Sequence, residues 1–271
     1  MEKYKIWLEK AIEASIKAGK VIMEVYHQTE MGVEIKSDNS PVTIADKRAS
    51  KVILEDLKET GLPIISEEET IADYEERKHW EKYWLIDPLD GTKEFIRRNT
   101  DFTVNIALIE NNAPTMGVIY CPVTGELYWG MTGNGAYKYE LNNAELQLEE
   151  ILKSGIRLPL TDNNSKIGIV GSRSHMNEET QHFIDDFIKE QGEEHTEFII
   201  RGSSLKFCML AEGKAHVYPR FSNIMEWDTA AGHAIAVASG CTVTLIDNET
   251  PLQYNKECLY NPFFIARRPI L

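Results

Sequence analysis

The chain has 271 residues, 42% of them hydrophobic, which is enough for a substantial core in one large domain or two packed lobes and argues against disorder. Its 43 acidic residues outnumber its 29 basic ones, for a formal net charge of −14, a field that repels nucleic-acid polymers and anionic membranes. An anionic substrate would need a local reversal of that field, and bound cations supply one.

The opening residues, Met1-Glu-Lys-Tyr-Lys-Ile-Trp7, lack a signal-peptide pattern, and no stretch approaches the ~20 apolar residues of a membrane helix, so a cytoplasmic protein is expected. Cys121, Cys208, Cys241 and Cys258 form no C-x-x-C pair. They are expected to be reduced and mostly buried, not zinc ligands or a redox pair.

From Tyr4 to Tyr26, Leu8, Ala11, Ile12, Ser15, Ala18, Gly19 and Ile22 recur every three or four residues and predict an amphipathic helix. The polar run Lys36-Ser-Asp-Asn-Ser-Pro41 leads to a second helix with Ala45, Ala49, Ile53 and Leu57 on one side and Gly61 as its stop. Leu62-Pro-Ile-Ile-Ser66 predicts a short strand ending in Glu67-Glu-Glu69. A helix is expected around Tyr74 to Lys82, then a strand Tyr83-Trp-Leu-Ile86 running into Asp87-Pro-Leu-Asp-Gly-Thr92.

Residues 102–140 alternate strand patterns with the turn signals Asn111-Asn-Ala-Pro114, Thr124-Gly125 and Gly133-Asn-Gly135, as an antiparallel meander does. Gly130-Met-Thr-Gly133-Asn-Gly135 has the wrong spacing and setting for a dinucleotide loop and reads as a hairpin turn. A polar, turn-rich stretch follows, and a lobe boundary is expected there, dividing an N-terminal α+β lobe (1–155) from a C-terminal α/β lobe (156–271). In the latter, strand patterns at 166–171, 197–200, 216–219 and 241–246 alternate with helix patterns at 177–190, 203–212 and 227–239.

Two strands thus deliver acidic clusters at their carboxyl ends. Asp87 and Asp90 in a strand-to-helix turn can each face one side of a metal pair, with the Leu89 carbonyl as a further hard oxygen ligand. Gly91 permits close approach of the backbone, and the N–H groups of Gly91 and Thr92 at the next helix start suit a phosphate. Each feature alone has a plainer reading. Asp87-Pro-Leu-Asp-Gly91 can be a surface turn, Glu67-Glu-Glu69 a solvated run, Asp46 with Thr43 a capping box, and Asp228 a complement to a helix dipole. Four acidic positions at strand ends or helix starts, with no Cys or His among them, together favour a site for two or three magnesium ions. The D-x-D-G-T spacing of a haloacid-dehalogenase phosphatase would need Asp where Pro88 stands.

Asp46, Glu67-Glu68, Asp87-Pro-Leu-Asp-Gly-Thr92 and Trp227-Asp-Thr-Ala-Ala-Gly232, in this order, resemble the lithium-sensitive inositol monophosphatase superfamily. Ser40-Pro-Val-Thr-Ile-Ala-Asp46, Asp90-Gly-Thr-Lys-Glu-Phe-Ile96, Thr103-Val-Asn-Ile-Ala-Leu108, Gly171-Ser-Arg-Ser-His175, Gly202-Ser-Ser-Leu-Lys-Phe-Cys208 and Tyr218-Pro-Arg-Phe221 are similar to its CysQ-type 3'(2'),5'-bisphosphate nucleotidase branch. The resemblance implies an α/β fold layered α-β-α-β-α, with a large, mostly antiparallel sheet and a smaller α/β lobe. It implies hydrolysis of a small anionic nucleotide, 3'-phosphoadenosine 5'-phosphate, to AMP and phosphate.

It further implies that Glu67, Asp87 and the Leu89 carbonyl hold one magnesium and that Asp87, Asp90 and Asp228 hold a second. A third, weaker ion would lie near Glu67 with help from Asp46. Thr92 would orient the attacking water, with Asp46 through Thr92, or Glu67 directly, taking its proton. Glu67, Leu89, Asp90, Gly91, Thr92, His175, Ser203, Lys206, Arg220 and Asp228 would contact substrate, Lys206 and Arg220 at the phosphate that is not cleaved. One departure is Asn223-Ile-Met-Glu226 before Trp227, where relatives carry a Gly-Pro-Thr type loop. Two alternatives stand beside this reading: an inositol or sugar monophosphatase of the same superfamily, and a non-catalytic metal or nucleotide sensor.

Overall fold

In the computed structural model residues 2–36, 39–141, 147–160, 166–172 and 176–270 are described. Helix α1 (Glu2–Tyr26) precedes two short paired strands, β1 (Glu34–Ile35) and β2 (Pro41–Val42), and helix α2 (Ile44–Lys58). Then come β3 (Ile64–Ser66), α3 (Tyr74–Arg77), β4 (Lys82–Asp90), α4 (Thr92–Ile96), β5 (Thr103–Glu110), β6 (Ala113–Cys121), β7 (Glu126–Met131), β8 (Gly135–Glu140), α5 (Leu148–Ser154) and β9 (Ile156–Leu158). The C-terminal part contains β10 (Ile167–Gly171), α6 (Glu178–Gln191), β11 (Thr196–Ile200), α7 (Leu205–Glu212), β12 (Val217–Arg220), α8 (Ala230–Ala238), β13 (Thr242–Leu245) and β14 (Phe264–Arg267).

Strands β3 to β9 lie side by side in chain order in a seven-stranded sheet, antiparallel except for the β3–β4 pair. A five-stranded mixed sheet has the order β11-β10-β12-β14-β13. Side-chain alternation along each strand explains how these stack. On β4 and β5, Trp84, Ile86, Val104, Ile106 and Leu108 pack with α1 and α2. The intervening Tyr83, Leu85, Ala107 and Ile109 join a second core with α7, α8 and one face of the small sheet. Ile169, Val217 and Ile265, on the small sheet's other face, pack against Ile184 and Phe187 of α6. The layers are therefore α1/α2, large sheet, α7/α8, small sheet, α6: the α/β arrangement expected. Because both faces of the large sheet are covered, its central strands are apolar throughout, a pattern that periodicity alone does not orient.

Three expectations change in detail. The helix expected over 74–82 stops at Arg77, whose buried guanidinium donates to Asn255 Oδ1 (2.9 Å) and the Glu257 carbonyl (2.7 Å), while Lys82 already pairs with Glu110 at the start of β4. The helix expected from Trp227 begins at Ala230, because the 226–229 segment forms a turn closed on the Glu226 carbonyl. Strand β9 pairs with β8, so the large sheet runs three residues beyond the boundary expected at 155. Cys121, Cys208 and Cys241 are buried, Cys258 is exposed, and all are free. No described helix is long and apolar enough to cross a membrane.

Helix α8, Ala-Ala-Gly-His-Ala-Ile-Ala-Val-Ala, sits unusually close to the large sheet because glycines face it. A Cβ on Gly117 of β6 would overlap the Ala231 carbonyl, and one on Gly130 of β7 would lie 2.9 Å from Ile235 Cα. Both obstacles are backbone, which cannot swing aside. Gly117→Ala should therefore destabilise the protein by about 1–3 kcal/mol, the usual cost of overpacking. Thermal denaturation should register this as a fall of roughly 2–4 °C per kcal/mol.

Candidate metal and phosphate site

The site begins with an irregularity in β4. Tyr83, Leu85 and Asp87 share the face turned toward α7 and α8, so Asp90, three residues after Asp87, would point to the opposite face in a regular strand. Instead the three-residue step from Asp87 to Asp90 opposes the two-residue step from Asn105 to Thr103 on β5. This is a β-bulge, and its extra residue returns Asp90 to the face of Asp87. Leu89 anchors the bulge by burying its side chain in the α1/α2 core. Its N–H donates to Asp87 Oδ1 (3.0 Å). Gly91 then adopts φ +94° against the Asp101 carbonyl, a conformation open to glycine, and α4 starts at Thr92.

Glu67 follows β3, the parallel neighbour of β4, and its N–H donates to the Ile86 carbonyl (3.2 Å). Asp228 arrives from the turn before α8, with its Oδ2 accepting from Met225 N (3.2 Å). Glu67, Asp87 and Asp228 bring carboxylate oxygens within 4.8 Å of one another. Asp87 is 1% exposed. Burial, then repulsion from Glu67, Asp90 and Asp228, pushes the Asp87 carboxyl well above the usual range. Burial, then Asp90 and Glu67, does the same to Asp228. A donor set of hard carboxylate oxygens whose charges oppose one another fits a hard divalent cation, which would relieve the repulsion and favour ionised ligands.

Asp90 is held by a hydrogen-bond clamp drawn from both sheets' neighbourhoods. Its Oδ2 accepts from Ser203 Oγ (2.6 Å) and Ser204 Oγ (3.0 Å) at the start of α7. Asn105, 1% exposed on β5, donates to Ser204 Oγ (2.8 Å), which also reaches the Asp228 carbonyl (2.7 Å). Thr103 Oγ1 lies 2.6 Å from Ser203 Oγ. Ser203, expected to contact substrate, lines the cleft but spends its one proton on Asp90, from a backbone φ of +50° that a non-glycine residue adopts only under constraint. One amide side chain thus bears on Asp90 and on the backbone of Asp228 together.

Asp46 serves two neighbours. Its Oδ2 accepts from Thr43 N (2.7 Å) and Thr43 Oγ1 (2.6 Å), closing the capping box of α2, while Oδ1 accepts from Thr92 Oγ1 (3.0 Å). Burial raises the Asp46 carboxyl, against the lowering effect of those hydrogen bonds. Lys36 Nζ bridges Glu67 Oε1 (2.9 Å) and Glu68 Oε1 (2.6 Å). The Glu67 carboxyl is raised by burial in spite of that ammonium.

These groups open on a cleft of about 260 Å³, whose wall also carries Gly91, Thr92, Lys206, Tyr218 and Arg220. Lys206 is buried, donates to the Ser203 carbonyl (2.6 Å), and is pulled down to about 8 by burial. Arg220, also buried, donates to the carbonyls of Asn223 (2.9 Å) and Ser222 (3.3 Å), so the unusual Asn223-Ile-Met-Glu226 segment supports the guanidinium. His175 lies outside the described residues. Sequence reasoning missed Lys36, Asn105, Ser204 and Tyr218. Asn105 carried a signal, being a lone polar residue inside the apolar run Val104-Asn-Ile-Ala-Leu108.

Residues 4–268 match the inositol monophosphatase family. The chain belongs to that family. It is similar to the 3'(2'),5'-bisphosphate nucleotidase CysQ of Salmonella typhimurium, 44% identical over 261 residues that cover 95% of this chain and 98% of that one. The crystal structure of CysQ from Bacteroides thetaiotaomicron, described as a bacterial member of the family, superposes with a TM-score of 0.87 at 48% identity over 97% of each chain. An IMPase of Thermotoga maritima superposes at 0.71 with 24% identity, covering 98% of this chain and 92% of that one, a likeness of fold alone. Metal dependence is a property of the family, and the acidic cluster of this member has the donors for it.

If the Asn105 clamp orients the ligands, Asn105→Ala should raise the magnesium concentration for half-maximal activity by about 10-fold, the lower end of what outer-shell substitutions cost. Calorimetric titration of magnesium, without turnover, should show the same loss of affinity, whereas a merely destabilised variant would bind the ion normally at low temperature.

Proposed function

We propose that this protein is a magnesium-dependent 3'(2'),5'-bisphosphate nucleotidase that hydrolyses 3'-phosphoadenosine 5'-phosphate to AMP and phosphate in the cytoplasm. The observation that carries this reading is a single cleft whose wall carries two kinds of charge: the carboxylates Glu67, Asp87, Asp90 and Asp228, and the buried cations Lys206 and Arg220. A substrate with two phosphates would use both. An inositol or sugar monophosphate needs only the first, and gives Lys206 and Arg220 no phosphate to hold. A sensor that lacked catalysis would have no need of the Asp46–Thr92 pair. The site draws on two lobes, and we place their division after Leu158, where the large sheet ends.

Glu67, Asp87 and the Leu89 carbonyl would hold one magnesium, and Asp87, Asp90 and Asp228 a second, with a weaker third beside Glu67 and Asp46. Bound magnesium supplies neutralisation of phosphoryl charge and acidification of water. Thr92 Oγ1, already donating to Asp46 Oδ1, has lone pairs free to accept a proton from the attacking water as its own passes to Asp46. Asp46 suits that task because burial raises its proton affinity and Thr43 holds its other oxygen still. Glu67 is the weaker base candidate, since Lys36 occupies its Oε1. The water oxygen bonds to phosphorus as the bond to the ribose oxygen breaks on the opposite side, that oxygen takes a proton from solvent water to become the hydroxyl of AMP, and Lys206 and Arg220 retain the other phosphate.

Phosphate release from 3'-phosphoadenosine 5'-phosphate and from inositol 1-phosphate, measured side by side with magnesium, chelator or added lithium, tests the proposal. Release mainly from the nucleotide, abolished by chelator and reduced by lithium, is expected. Preference for inositol 1-phosphate would overturn the substrate assignment, and inactivity toward both would overturn the enzymatic one.

The lowered proton affinity of Lys206 has a consequence for pH. Its ammonium can hold an anion only while protonated, so affinity is lost as pH rises through about 8. KM for the bisphosphate should climb above that pH, approaching ~10-fold per unit for a single required proton. Lys206→Arg, which keeps its charge, should flatten the climb while inositol 1-phosphate kinetics stay unchanged.

A further inference from the structure

Tyr218 lies in β12 between Val217, which packs toward α6, and Pro219. Its ring is wedged edge-on against Phe207 (5.2 Å between centroids) and Phe264 (5.8 Å), and the residue is 2% exposed. A phenylalanine would fill that aromatic nest equally well, so packing does not account for the hydroxyl. The hydroxyl oxygen is buried beside the Arg220 guanidinium, which can only donate to it, and its own proton has no acceptor in hydrogen-bond geometry among the described residues. Other buried polar atoms share this condition, those of Ser66, Arg77, Tyr83 and Ser222, but of these residues only Tyr218 lines the cleft.

A buried donor left unmade costs stability, and one that borders a ligand site is satisfied by the ligand. Arg220, Asp90 and Asp228 all act on this hydroxyl, so it is within reach of both kinds of charge that line the cleft. Burial pushes the phenol up to about 12, so at neutral pH it keeps its proton and can donate.

We propose that the Tyr218 hydroxyl donates a hydrogen bond to the phosphate that is not cleaved, beside Arg220 and Lys206, and so helps the enzyme distinguish bisphosphate nucleotides from monophosphates. This rests on the bisphosphate reading above and deepens it. The structural setting makes a separate demand: since the hydroxyl proton has no acceptor in the free protein, its removal should weaken substrate binding more than it weakens the fold.

Tyr218→Phe removes only the oxygen. With magnesium present, the dissociation constant of AMP, which keeps the retained phosphate, should rise roughly 10-fold by calorimetry, the scale of one hydrogen bond to a charged group. Adenosine, which lacks that phosphate, should bind the variant and the wild type alike. KM for 3'-phosphoadenosine 5'-phosphate should rise by a similar factor with kcat within about twofold. Kinetics on inositol 1-phosphate should not change, and the melting temperature of the free protein should change little. If wild type binds AMP and the variant binds it equally well, the inference falls and the hydroxyl is satisfied by water alone. A lowered melting temperature with equal losses on both substrates would also overturn it, in favour of a packing role. A wild-type protein that binds no AMP and prefers inositol 1-phosphate would overturn the bisphosphate reading, and this inference with it.

Discussion

Like charges held close together in a buried place define this molecule. Glu67, Asp87 and Asp228 approach within 4.8 Å, with Asp90 near enough to disturb both aspartates, and the surrounding protein removes the water that would screen them. Folding alone gives no reason to gather them, since separation would stabilise the chain. Their convergence is sustained by packing elsewhere, and it is relieved when a divalent cation enters. With that cation bound, a protein of net charge −14 would offer an anion a place to bind.

The surrounding architecture can be understood as the means of enforcing that convergence. The bulge in β4 turns two aspartates to one face, and the parallel strand β3 brings Glu67 alongside. The small residues of α8, seated against Gly117 and Gly130, carry Asp228 down toward the sheet. Asn105 and Ser204 then link Asp90 to the backbone of Asp228. Each device is backbone geometry or a short buried side chain, and short side chains lose less rotamer freedom when fixed than long ones do. Longer groups sit around the cleft where substrate would lie: Lys206, Tyr218 and Arg220. The two cations are the counterpart of the crowded carboxylates, and both kinds of charge line the same cleft.

Much of this was legible in the sequence because it is local. Helical spacing in 4–26, the meander of 102–140 and the strand-helix alternation after 166 each follow from residues a few positions apart. The acidic segments were legible for a related reason: a proline, a glycine and two aspartates within five residues restrict the backbone whatever lies around them. Asp46 was ambiguous between a helix cap and a role at the site, and the folded chain gives it both sets of contacts, one to each oxygen.

What the tertiary structure decided is whatever depends on register or on contact across the chain. The β-bulge exists only by comparison with β5, so no window of sequence around Asp87 could reveal it. Ser203 read as a substrate contact, and the folded chain adds a second partner, an aspartate 113 residues away that accepts its proton. Asn105 read as part of a strand, yet its amide binds a serine 99 residues later. Even the length of the helix at 74–77 was set by Arg77 finding partners near residue 255. Sequence by itself determined which chemical groups are present and how each short segment prefers to fold, since those preferences act through neighbours in the chain. Which groups meet, and which are left seeking a ligand, was decided by packing, because only the closed core sets the distances between segments far apart along it.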